Sequence, residues 1–248
     1  MNARATIIGF AAAMAACFNL AGAAAQGTPD YAALIAAPDR SAADRATDAR
    51  RDPLKMLALV GARSGMKVLD MGAGGGYSTE LMARAVGPNG VVYGQNPADQ
   101  GERGKAAFEA RTKTPAGKPI VGVSRPFDDP LPADVGNLDL ITFLFFYHDT
   151  TYMSVDRAQM DRKLLAALKP GGVLVIADHA AKQGADITVG KTLHRIDEST
   201  VRRELEAAGF KLIAAGDFWH YPEDTRDFSS LKPTGPVDAF VLKFQKPM

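Results

Sequence analysis

The stretch that decides the fold is MKVLDMGAGGGYSTELMA, residues 66–83. Residues 66–71 are an apolar run with the length and composition of a buried strand. The chain then turns through Gly72-Ala73-Gly74-Gly75-Gly76-Tyr77 and resumes at 78–86 with apolar residues at helical spacing. Glycines permit a sharp turn and let a ligand approach the backbone closely. A loop between a strand and a helix lies at the carboxyl end of the strand, where open α/β sheets bind their ligands. The spacing here is GxGxG (Gly72, Gly74, Gly76), two residues behind Asp70. A dinucleotide fingerprint requires GxGxxG, and its third glycine would fall on Tyr77. No lysine closes the loop into a phosphate loop.

Outward from this loop, strand and helix patterns alternate. Strands are expected at 91–94, 119–124, 138–145 and 173–177, and helices at 99–111, 152–168 and 197–208. Asp197 is placed to cap the last of these helices and Gly209 to end it. The 138–145 run is nearly all apolar, which predicts a central strand covered on both faces. Two closing strands, 210–216 and 238–245, have no helix pattern between them and are expected to pair antiparallel. The fold class is therefore α/β: a Rossmann-like doubly wound sheet, mostly parallel with an antiparallel last strand.

Upstream, residues 31–37 and 54–62 read as helices, the second entered through Pro53. Between them the charges alternate (Asp39, Arg40, Asp44, Arg45, Asp48, Arg50, Arg51), the pattern of a solvated helix face. The expected division is an N-terminal arm at 26–53 and one domain at 54–248. Residues 1–25 read as a secretory signal: Arg4 near the amine, an apolar stretch to about Leu20, and Ala23-Ala24-Ala25 at the cleavage site. The apolar stretch is too short and alanine-rich for a membrane anchor. Lipid attachment at Cys17 is the alternative to simple cleavage. An exported, periplasmic protein is expected.

Composition bounds the partners. The chain has 248 residues, 46% hydrophobic and 23% charged, which excludes disordered and fibrous classes. Its 29 basic and 28 acidic residues leave no electrostatic footprint for nucleic acid. The single cysteine, Cys17, leaves the body without a disulfide, a cysteine zinc site or a thiol nucleophile.

VLDMGAGGGYSTELMA resembles motif I of the class I S-adenosylmethionine (SAM) dependent methyltransferases. The resemblance runs over roughly residues 50–246. It includes the turn after 91–94, the Tyr147-His148-Asp149 end of the fourth strand, the Leu168-Lys169-Pro170-Gly171-Gly172 turn and the Ala207-Ala208-Gly209-Phe210 step. With its leader the chain is similar to a group of exported predicted methyltransferases. The resemblance implies SAM as cofactor, with Gly72, Ala73, Gly74, Gly76 and Tyr77 under its methionine part and Asp70 meeting its amino group. Asn96 stands where the family carries the acid that binds the ribose hydroxyls; an uncharged amide there implies retained but weaker SAM affinity. Phe127 and Asp128 are the implied adenine contacts. Tyr147 and His148 are the implied catalytic residues, positioning or deprotonating a small-molecule or envelope acceptor.

Asp178-His179 falls beside His148-Asp149, but no HxH or HExxH spacing supports a metal, and none is expected. His194-Arg195, Trp219-His220-Tyr221 and Arg226-Asp227 are further candidates for the site walls. The other reading of the same residues is a non-catalytic SAM- or nucleoside-binding envelope protein.

Overall fold

A computed structural model describes residues 27–248. The leader, Cys17 and the expected cleavage site lie outside the described residues. Among the described residues no helix is long and apolar enough to cross a membrane.

The sheet positions the site. Its strands are β1 (Lys67–Met71), β2 (Val91–Asn96), β3 (Ile120–Ser124), β4 (Leu138–Leu144), β5 (Leu168–His179), β6 (Lys211–Gly216) and β7 (Ala239–Gln245). They stand in the order β3-β2-β1-β4-β5-β7-β6. The five strands from β3 to β5 run parallel. β7 pairs antiparallel with both β5 and β6, because the chain returns from β6 without the crossover helix that parallel pairing needs. The order reverses between β1 and β4, so the crevice outside their carboxyl ends is the topological switch point.

Strand alternation divides the core into two layers. Val68, Val92, Leu140 and Val175 face one side with Met56, Leu81, Met82 and Phe108. Leu69, Ile141, Leu174 and Ile176 face the other with Met160, Leu164, Val201 and Leu205. The helices that cover the first face are α3 (Pro53–Val60), α4 (Tyr77–Val86) and α5 (Glu102–Thr112). Those covering the second are α6 (Arg157–Ala167) and α8 (Glu198–Ala208). Asp197 caps α8 by accepting from the Ser199 amide, and Gly209 ends it in the left-handed conformation. α6 starts later than its sequence pattern implies. Residues 147–151 form a 3₁₀ turn, and Asp156 accepts the Gln159 amide to begin the helix at Arg157.

The arm departs from the solvated face its charges imply. Helices α1 (Tyr31–Ala36) and α2 (Ala42–Arg51) pack onto the domain, and Arg40 and Asp44 are buried. Arg111 on α5 donates to both oxygens of Asp44 (2.9 and 2.5 Å), to Glu80 on α4 (2.6 Å) and to the carbonyl of Gly75 (2.6 Å). Arg40 forks onto Asp48, which also accepts the Tyr77 hydroxyl at 2.7 Å. Removing Arg111 leaves Asp44 and Glu80 in a low-dielectric seam without this cation. Arg111→Met is expected to lower stability by about 3 kcal/mol. Urea unfolding measures the loss, and limited proteolysis should cut first in the arm.

Candidate active site

Gly72, Gly74 and Gly76 all have left-handed backbone, with φ of 61, 56 and 83°. Side chains pay steric strain in that region, so the alternating glycines let the chain fold tightly from β1 into α4. A Cβ on Gly72 would meet the Phe146 ring at 3.0 Å, and one on Gly76 would meet Arg111 at 2.8 Å. The loop is pinned to the end of β2. The Gly72 amide donates to Gln95 Oε1 (3.0 Å) and the Gly74 amide to Asn96 Oδ1 (2.8 Å).

Asp70 is buried beneath the loop. It accepts hydroxyls from Ser78 (2.8 Å), Thr79 (2.6 Å) and Thr142 (2.7 Å). Burial pushes its carboxyl pKa up, against the opposing effect of the three hydroxyls.

Above the loop lies a cleft of about 360 Å³, within the range of small-molecule sites. Gly72, Ala73, Gly75, Tyr77 and Ser78 line it from the domain. Thr47, Arg50 and Arg51 line it from α2, and Phe145 and Trp219 close it. The Arg51 guanidinium sits 3.7 Å from the centre of the Phe145 ring. Burial, and then Arg50, push the Arg51 pKa down to about 10, so it stays cationic at neutral pH. Among the described residues it forms no ion pair. Trp219 is 4% exposed, packs at a tilt against Phe145 with ring centres 4.9 Å apart, and among the described residues has no partner for its buried indole N–H. Phe145 itself has φ of 61°, a strained value for an aromatic residue at the end of β4.

The cleft brings together Gly72, Ala73 and Tyr77 of the expected cofactor residues, with Gly74 and Gly76 shaping its loop. Other expected residues point elsewhere. Phe127 is buried between Phe143 and Phe146, at ring distances of 5.9 and 5.0 Å. Asp128 accepts the Asp156 amide (3.2 Å) ahead of α6. Asn96 binds the Gly74 backbone through both ends of its amide, so it serves as a strap on the loop. Tyr147 is fully buried on the second face, because the 3₁₀ turn after β4 rotates it into the core. Its hydroxyl stands 2.8 Å from Glu204 and 3.0 Å from Asp161. Tyr147 is thus corrected from an acceptor-facing residue to a core residue.

Arg51, Phe145 and Gly75 were not singled out from the sequence. The Arg50-Arg51 pair directly before Asp52-Pro53 was the available signal for the first.

His148 stands at the β4 end but does not line this cleft. Its Nδ1 is 2.7 Å from Asp178 Oδ1, and its Nε2 is 3.4 Å from Asp149 Oδ1. His194 Nδ1 is 3.5 Å from the same Asp149 oxygen. Burial opposes a charge on His148, but Asp178 and Asp149 outweigh it and hold its pKa above the usual value. Burial pushes the neighbouring His179 down to about 4, so it is neutral. Arg195 is fully buried and organises the late loop, donating to Asp224 and to the carbonyls of Ala180 and Phe228. His220 and Arg226 pair with Asp238 in a separate cavity.

A doubly wound sheet with a glycine-floored cleft at its switch point is a nucleotide- or cofactor-binding α/β domain. A family model described as a methyltransferase domain matches residues 42–215, and the chain belongs to that family. Solved structures share the fold. A SAM-dependent methyltransferase from Aquifex aeolicus is 20% identical, with a TM-score of 0.58 over 88% of this chain and 99% of that one. An arsenic(III) S-adenosylmethionine methyltransferase from Chlamydomonas reinhardtii is 15% identical, with a TM-score of 0.57 over 90% and 74%. Fibrillarin from Aeropyrum pernix, solved with natively bound SAM, is 15% identical, with a TM-score of 0.53 over 77% and 74%.

The Tyr147 cluster carries a pH signature. One hydroxyl proton cannot serve two carboxylates, and Arg157 holds Glu204 ionised against its burial. Asp161 is therefore the protonated partner: burial pushes its pKa up to about 7, and its Oδ1 has no partner. A carboxyl with a higher pKa folded than unfolded (about 3.9) stabilises fully below the unfolded value. That contribution is lost as pH rises through about 7. Thermal melts from pH 5 to 8 should show stability falling with rising pH, and Asp161→Asn should flatten that slope.

Proposed function

We propose that the protein transfers a methyl group from S-adenosylmethionine to a partly hydrophobic small-molecule or envelope acceptor. The observation that carries this reading is the glycine loop, left-handed at Gly72, Gly74 and Gly76, which lines a 360 Å³ cleft at the switch point through Gly72 and Gly75. Family membership supports it. The residues present fit the donor: a loop without side chains at Gly72 and Gly75, a hydroxyl at Ser78, and a cation at Arg51. When bound, the donor supplies an electrophilic sulfonium methyl for in-line displacement.

This chain's part is mainly alignment. Gly72, Ala73 and Gly75 hold the donor's methionine half. Arg51 takes its carboxylate through a charge-assisted bond. Phe145 and Trp219 form an apolar wall toward the acceptor and exclude water. Asn96 keeps the loop in register. The leader at 1–25 supports an exported, periplasmic setting; fractionating cells that carry a C-terminal reporter tests it.

A second reading, a non-catalytic SAM- or nucleoside-binding envelope protein, draws on one observation: neither Tyr147 nor His148 lines the cleft. Calorimetry of the purified protein with SAM comes first. Wild type should bind, Gly74→Val should not, and Arg51→Gln should bind about tenfold more weakly, the loss of one hydrogen bond to a charged group. Undiminished binding by Gly74→Val removes the loop from the site and overturns the reading. Labelled SAM with an envelope extract then separates the two: a labelled acceptor supports transfer, and tight binding without one supports the binding protein.

A further inference from the structure

His148, Asp149 and His194 come together at the end of β4, outside the lining of the cleft. His148 and Asp149 lie on the 3₁₀ turn after β4. His194 follows α7 (Val189–Leu193), a short helix packed on that turn. The approach is close because residue 190 is glycine: a Cβ there would sit 2.2 Å from Thr151 Oγ1 and 2.7 Å from the His148 carbonyl. His194 itself is held in left-handed backbone, with φ of 50°. Ser230 clamps it, its amide donating to the Leu193 carbonyl (2.9 Å) and its hydroxyl to the His194 carbonyl (2.8 Å). A strained residue clamped in place at a cluster of donors points to a use for its side chain.

The spacing is that of co-ligands. His148 Nε2 and His194 Nδ1 stand 3.4 and 3.5 Å from Asp149 Oδ1, and all three atoms lie within 4.8 Å of one another. Charge-assisted hydrogen bonds are shorter, at about 2.7–2.9 Å. Two ligands each about 2.1 Å from a tetrahedral metal stand about 3.4 Å apart. The supporting carboxylate is also in place. Asp178 is fully buried and accepts His148 Nδ1–H at 2.7 Å, leaving the Nε2 lone pair directed at Asp149 and His194. Asp178 is fixed in turn by the amides of His148 and His179, each at 2.8 Å. This is the carboxylate–histidine–metal arrangement that orients a ligating imidazole. Asp149 also accepts the Tyr152 hydroxyl.

We propose that His148, Asp149 and His194 bind a divalent first-row transition metal, with Asp178 as the positioning residue behind His148. Two imidazoles and one carboxylate select such an ion over magnesium or calcium, which take oxygen ligands. Three protein ligands leave coordination positions for water or for an oxygen of a bound small molecule. The side chains of Asp149 and His194 are partly buried, at 16% and 23% exposure, so the cluster is in contact with solvent on their side. The site stands on its own residues and does not depend on the methyl donor.

The test titrates the full protein, stripped with a chelator, with Co(II) and Zn(II), reading calorimetric heat and the ligand-field absorption of cobalt. One equivalent should bind, and a large excess of Mg(II) should not displace it. His194→Asn, which tolerates left-handed backbone, should weaken binding at least a hundredfold while keeping the wild-type circular dichroism and melting temperature. Asp178→Asn should weaken binding ten- to a hundredfold. Absence of stoichiometric binding by the wild type overturns the proposal. So does binding that His194→Asn and Asp149→Asn both leave unchanged. Because SAM is absent from these titrations, failure here and failure of the methyl-transfer reading are scored separately.

Discussion

The Asp70 carboxylate is the tie on which the rest of the site depends. It sits at the end of β1 with no exposure to speak of, and its oxygens accept from Thr142 on β4 and from Ser78 and Thr79 in the first turn of α4. A buried carboxylate is costly unless its lone pairs are satisfied. Three hydroxyls satisfy this one, and in doing so they lock the two strands of the switch point to the helix that follows the loop. The glycine loop has no freedom left but to arch over Asp70. That arch requires left-handed backbone at Gly72, Gly74 and Gly76 and leaves a floor with little side-chain bulk. The cleft is thus a consequence of how a polar group was accommodated in the core.

The opposite wall of the cleft comes from the arm, and it is held by charge. Arg111 contacts α2, α4 and the loop carbonyl of Gly75 at once. Docking the arm and setting the loop are therefore coupled through one guanidinium. The same docking delivers Arg51 onto the face of Phe145, where the aromatic ring substitutes for a carboxylate partner. That places a cation on the wall of the cleft, next to the aromatic surface of Phe145 and Trp219.

The order of elements was legible because it rests on local physics. Apolar period, the glycine loop, the Asp197 cap and the Gly209 stop all act within a few residues, and the order of the main strands and helices follows them, although α6 begins only at Arg157 and β5 takes in the expected turn at 168–172. Side-chain direction at the ends of strands was not legible. β4 ends at Leu144, and the residues after it leave the period-two pattern: Phe145 turns left-handed and residues 147–151 form a 3₁₀ turn. That rotation sends Tyr147 into the apolar core and turns the likewise buried His148 onto Asp178, although the two are neighbours in an apolar-aromatic run. The arm misled for a related reason. Asp44 and Arg111 are 67 residues apart, so nothing local distinguishes their pairing from two solvated charges.

By itself, then, the sequence determined a doubly wound sheet, the glycine loop and the end of the sheet at which ligands bind, because propensity, period and turn chemistry are properties of neighbouring residues. Only the tertiary structure decided which side chains share the cleft. Arg51 and Trp219 reach it from opposite ends of the chain, Asn96 is drawn onto Gly74, and His194 is brought against His148 and Asp149 by a glycine contact across two loops. Such meetings depend on the packing of distant segments, where a single missing Cβ or a buried ion pair sets the approach.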